Sequence, residues 1–182
     1  MRDDARHRFT PPPALRARLA AMYAEPHRRY HTLAHIDALC RHLTRWRALA
    51  MDAHSIDAAI WFHDAIYDTR RSDNDAPRDD ADAWLFLDLD LSVLAQRADR
   101  YDAYARAIRA EYDWVPDARY AQGRANVLER FAQRDAIYHT PALHMAWEQR
   151  ARCNLAAELS ALAARSDNAA TAPMASTRED SR

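Results

Sequence analysis

Thr32-Leu33-Ala34-His35-Ile36-Asp37-Ala38-Leu39-Cys40-Arg41-His42-Leu43-Thr44-Arg45-Trp46 decides the fold class. Leu33, Ile36, Leu39, Leu43 and Trp46 recur every three or four residues, the period of a helix that buries one face. The stretch predicts a helix over about 32–50, and no segment of the chain alternates apolar with polar residues as a half-buried strand does. Composition points the same way. Alanine, the best helix former, fills 40 of 182 positions. Gly123 is the only glycine, which excludes a P-loop and a Rossmann phosphate loop and weighs against the turn-rich β-sandwiches and barrels. All 26 basic residues are arginine, so lysine-dependent Schiff-base chemistry is excluded, while forked binding of phosphate or carboxylate remains available.

Outward from this helix, the chain reads as an all-α domain over 13–165 with a flexible leader over 1–12 and a disordered tail over 166–182. Pro11, Pro12 and Pro13 open a first helix over 13–24, and Ser55 is placed to cap a third carrying Ile56, Ala59, Ile60 and His63 along one stripe. The polar, aspartate-rich stretch 68–82, with Pro77, reads as an exposed loop. Helices are expected over about 83–95, 99–113 and 117–133, with Trp114-Val115-Pro116 as a break. Thr140-Pro141 starts a long last helix bearing Leu143, Trp147, Leu155, Leu159 and Leu162. Gly123 is expected to allow close helix approach.

Charge and targeting signals narrow the partners. A net charge of −1 gives no global attraction for nucleic acid, and the local basic stripe over 41–47 reads as a solvated helix face. No apolar run is long enough to span a bilayer, and the charged first ten residues lack the core of a secretory signal. Cys40 and Cys153 lie far apart and read as packing residues in a reduced, cytoplasmic protein.

Three places put ionisable groups into apolar sequence. His31 and His35 stand four apart, so both share one face if both are helical. His63-Asp64 lies within Trp61-Phe62-His63-Asp64-Ala65-Ile66-Tyr67, and Asp88 and Asp90 interrupt a run of leucines. Taken singly, these read as a partly exposed histidine pair, a common dipeptide, and solvated or helix-capping aspartates. Taken together, they direct imidazoles and carboxylates from three helices toward an apolar interior, where such groups need partners or a metal. Nitrogen and oxygen donors of this mix suit Zn, Mn, Fe, Co or Ni rather than a soft Cu(I) site.

The order His35…His63-Asp64…Asp90 resembles the HD superfamily of metal-dependent phosphohydrolases, and more closely a bacterial family described as predicted HD-superfamily hydrolases. The matching segments are Glu25-Pro26-His27-Arg28-Arg29-Tyr30-His31-Thr32-Leu33-Ala34-His35-Ile36, Trp61 to Asp68, and Phe86-Leu87-Asp88-Leu89-Asp90-Leu91. Tyr101 to Tyr112, with Ile108-Arg109-Ala110-Glu111-Tyr112, and Tyr120 to Thr140 complete a likeness over roughly 15–162.

The resemblance implies an HD-like helical bundle with a divalent metal (Mn, Co, Ni, Fe, Zn or Mg) held by His35, His63, Asp64 and Asp90. Asp88 is the alternative to Asp90. It implies that His31 protonates the leaving group and that Asp64 also orients the attacking water. Arg109, Arg124 and Arg134 match motif positions and are candidates to contact phosphate, the other reading being exposed helix arginines paired to Glu111 or Glu129. The implied substrate is a small phosphorylated molecule, a nucleotide among the candidates. The chain departs from the family after Asn74-Asp75, where on the order of 30 residues with a further histidine are missing, which implies a single-metal site. The departure motivates a second reading, an HD-like protein that binds metal or ligand with little turnover; a third is a metal-free helical interaction module.

Overall fold

The computed structural model describes residues 9–66 and 80–171. Among them are seven α-helices and no strand: α1 (Pro13–Tyr23), α2 (Leu33–Trp46), α3 (Ala53–Phe62), α4 (Ala81–Asp90), α5 (Ala98–Glu111), α6 (Asp117–Ala132) and α7 (Pro141–Thr171). A 3-10 turn, Arg47–Leu49, follows α2 and another, Leu91–Ala95, follows α4, so the helix expected over 83–95 is divided at Asp90. No helix of the described residues is long and apolar enough to cross a membrane.

The apolar stripe of α2 buries Ile36, Leu39 and Leu43 against α3 and α4, alongside Leu19 and Tyr23 of α1, Ile60 of α3 and Leu85 and Leu89 of α4. The 3-10 segment Leu91–Ala95 packs on α5 and α7, and α6 lies along α7, adding Leu143 and Leu155 to the same core. Each such leucine or isoleucine contributes about 1.5–3 kcal/mol of burial. The packing brings the first turn of α2 and the last residues of α3 and α4 to one place.

Helix ends depart from the sequence reading in detail. Asp52, not Ser55, caps α3: its carboxylate accepts from the backbone N–H of His54 and Ser55, and the Ser55 hydroxyl donates to it at 2.6 Å. The helix starts at Ala53, which leaves Ser55 already inside the first turn. Asp80 caps α4 two residues earlier than expected, and Asp82 accepts from the backbone N–H of Met51 and Asp52, tying the starts of α3 and α4 together. The leader is not free at its end, because Pro11 is buried and the Phe9 ring packs against His54 and Phe62. α7 continues six residues past 165, where the tail was expected to begin. Residues 1–8, most of the expected loop 68–82, and 172–182 lie outside the described residues.

The residues closing α1–α6 (Ala24, Arg47, His63, Leu91, Tyr112 and Gln133) all have negative φ, so none of these positions is the left-handed cap that favours glycine. Arginine side chains reach the carbonyls beyond three helix ends instead. Arg109 donates to the carbonyls of Tyr112 and Val115 beyond α5, and Arg152 to those of Ala132, Arg134 and Asp135 at the end of α6. Arg28 does the same beyond α3. Gly123 permits no close approach: a side chain there would meet nothing within 4 Å.

Candidate metal centre

Two nitrogens and two oxygens from three helices converge. His35 lies in the first turn of α2, His63 closes α3 with Asp64 next to it, and Asp90 is the last residue of α4. The Nε2 atoms of His35 and His63 are 3.3 Å apart. Asp90 Oδ1 lies 3.0 Å from the first and 3.5 Å from the second. Asp64 Oδ2 lies 3.0 Å from His63 Nε2 and 3.8 Å from His35 Nε2. The ligand atoms of His35, His63 and Asp64 all lie within 4.8 Å of one another, against about 3.4 Å for tetrahedral ligands at about 2.1 Å from a metal; Asp90 joins them through its contacts with the two histidines. Because α3 ends at Phe62, the adjacent His63 and Asp64 lie on a turn rather than within the helix, which lets both reach one point.

The donor set fits a cation. His63 Nδ1 donates to the Ile60 carbonyl at 2.9 Å, so the neutral ring leaves the Nε2 lone pair for the centre. Burial disfavours charge on His63, yet its hydrogen bonds to the Asp64 and Asp90 carboxylates push its pKa up to about 10. Burial likewise opposes ionisation of both carboxyls, but their histidine partners hold Asp64 and Asp90 below the ordinary range. The chain therefore favours positive charge at this point. Aromatic rings wall it: Tyr30 is 4.9 Å from the His35 ring and Phe86 5.4 Å from the His63 ring.

His31 is not on the helix. Thr32 is extended and α2 begins at Leu33, so the four-residue spacing does not align His31 and His35 on one helical face. A carboxylate on α5 brings His31 to the site. Glu111 Oε1 accepts from the backbone N–H of Arg29, Tyr30 and His31 at 2.7, 2.7 and 3.0 Å, and Oε2 lies 2.6 Å from His31 Nδ1. Burial opposes the charge on Glu111, but the His31 contact and the backbone donors hold its carboxyl down to about 2. The His31 ring stands 6.0 Å from that of His35.

Arg28 is buried beside this carboxylate-bound segment. Nη1 donates to the carbonyls of His31 and Asp64 at 3.2 and 2.8 Å, Nη2 to that of Ala65 at 3.2 Å, and Nε to Glu25 at 3.1 Å. Neither Glu111 nor Arg28 is singled out by sequence reasoning, although both lie inside the quoted motif segments.

Asp88 and Asp90 separate cleanly. Asp88 faces away from the histidines and accepts from the backbone N–H of His139 and Thr140 at 3.0 and 2.6 Å, at the start of α7. Burial pushes its carboxyl up. Asp88→Ala is expected to cost about 1–3 kcal/mol in urea unfolding and to leave metal content unchanged; metal loss there would make Asp88 the ligand.

Two of the three arginines that are candidates for phosphate are committed elsewhere. Besides the turn carbonyls, Arg109 holds Asp117 at 2.6 Å and lies over the Tyr120 ring. Arg124 forms a two-point pair with Glu158 at 2.8 and 3.0 Å, next to Tyr104. The alternative pairings to Glu111 and Glu129 are not the ones adopted, because Glu111 serves residues 29–31. Arg134 lies over the Phe131 ring. No protein-family model matches the chain, no curated protein matches it, and no solved structure matches it.

Proposed function

We propose that the protein is a metal-dependent phosphohydrolase of the HD type, acting on a small phosphorylated molecule, a nucleotide among the candidates. The observation that carries this reading is that, at helix termini of an all-α fold, His35 and His63 lie 3.3 Å apart with Asp64 and Asp90 each 3.0–3.8 Å from them. His35, His63, Asp64 and Asp90 would hold a divalent cation (Mn, Co, Ni, Fe, Zn or Mg), which would supply a lowered pKa for a bound water and polarisation of a phosphoryl oxygen. Asp64, beside both histidines, orients the attacking water and takes its proton. As the bond from water oxygen to phosphorus forms, the bond from phosphorus to the leaving oxygen breaks. Glu111 keeps the Nδ1 proton of His31 in place, so the proton given to the leaving oxygen departs from Nε2.

A second reading is metal or ligand binding with little turnover. It is favoured by the commitment of Arg109 and Arg124 to Asp117 and Glu158. Metal analysis of the purified protein, followed by a phosphatase screen of nucleotides with Mn, Co, Ni and Mg, tests both. Metal-dependent hydrolysis that disappears in His63→Ala supports the first reading. Bound metal without hydrolysis supports the second, and no bound metal removes both.

A further inference from the structure

We propose that Arg28 is the positioning residue of the metal centre, setting the turn that carries His63 and Asp64 against the segment that carries His31. The role rests on the metal centre proposed above. Its guanidinium donates to both segments: Nη1 binds the carbonyls of His31 and Asp64, and Nη2 that of Ala65. The Asp64 carbonyl belongs to the residue whose carboxylate lies 3.0 Å from His63 Nε2, so holding that peptide plane holds the backbone from which the carboxylate reaches the centre. The carbonyls lie beyond α3, where no helical partner remains for them. Four contacts, to three carbonyls and the Glu25 carboxylate, are spread over three nitrogens of a planar fork, a reach that an ammonium with its one nitrogen does not match. Glu25 holds Nε and the Tyr23 ring lies 5.2 Å from the guanidinium carbon, so the fork itself is held.

A clamp of the same construction elsewhere separates positioning from bulk stability. Arg152 also spends Nε on a glutamate, Glu148, and its other nitrogens on three backbone carbonyls, but at the end of α6. The experiment compares wild type, Arg28→Lys and Arg152→Lys for cobalt(II) affinity, for the visible spectrum of the cobalt-loaded protein, and for melting temperature without metal. Arg28→Lys is expected to lower cobalt affinity about 10–100-fold, the usual effect of losing a group behind a metal ligand, and to change the spectrum. Arg152→Lys is expected to lower the melting temperature with affinity within twofold of wild type. In Arg28→Ala, added guanidinium ion is expected to restore part of the affinity. Should both Arg28 variants fail to fold, Glu25→Gln, which loosens the fork through a side chain 43% exposed, is expected to weaken cobalt several-fold. Affinity unchanged in Arg28→Lys, or in Glu25→Gln where that variant stands in, overturns the role, as does an equal loss in Arg152→Lys. Because affinity is the readout, a chain that binds cobalt but hydrolyses no phosphoester overturns the proposed reaction and not this role. A wild type that binds no metal overturns both.

Discussion

His63→Ala is expected to leave the purified protein without stoichiometric metal, its affinity reduced by more than the 10–100-fold typical of a group behind a ligand. His63 Nε2 is the most central donor of the cluster, at 3.0, 3.3 and 3.5 Å from Asp64, His35 and Asp90. Its removal takes away one nitrogen and also the group that offsets the two carboxylates in the metal-free chain. His35 is then the one imidazole left beside both. The fold is expected to survive, because His63 closes α3 from outside the helix and the core under it is Ile56 and Ile60. Elemental analysis with far-ultraviolet circular dichroism checks both halves; full metal content in a folded variant would remove His63 from the centre.

Glu111→Gln is expected to lower kcat by about 10²–10⁴, the range of a lost proton-transfer group, with a smaller change in KM. Glutamine keeps an oxygen for the backbone N–H groups of residues 29–31, but turns an amide N–H toward His31 Nδ1. His31 then carries its proton on Nε2 alone and is a far weaker acid than an imidazolium backed by a carboxylate. The same variant separates a stability effect. Glu111 falls from 4.5 when unfolded to about 2 when folded. A depressed carboxyl stabilises above its unfolded value, and that contribution fades as pH drops from about 4.5 through about 2. A difference of about 2.5 units corresponds to about 3 kcal/mol. Urea unfolding at pH 6 and pH 2.5 should show wild type losing about 2.5 kcal/mol more than Glu111→Gln, because at pH 2.5 the folded carboxyl is still partly ionised. Equal losses would mean that the carboxylate is not held as described.

Helical content is legible in the sequence because alanine and a three-to-four-residue apolar period act locally. The places where helices stop are less so. Asp52 and Ser55 are both competent caps, and only the path of the chain into α3 assigns Asp52. Among the candidate site residues, the types and order of His35, His63, Asp64 and Asp90 are readable, since costly groups stand out in apolar surroundings. Their neighbours do not say which way a side chain turns. Asp88 and Asp90 sit among the same leucines, yet one meets the start of α7 and the other the histidines. Glu111 reads as a surface partner for Arg109 until three consecutive N–H groups from before α2 are laid against it. Arg109 and Arg124 show the converse: a motif position says nothing about whether a carboxylate close by already occupies the fork.

The arginine forks at helix ends have a thermodynamic consequence for the whole domain. A helix closed by its own backbone can fray alone, so its last turn opens at little cost. Here the carbonyls beyond α3 are held by a residue that precedes α2, and those at the end of α6 by a residue on α7. Opening either terminus means undocking a distant part of the chain as well. Local opening at these two ends is thereby joined to cooperative unfolding, and the turn bearing His63 and Asp64 is protected by the integrity of the domain rather than by the ten residues of α3 alone.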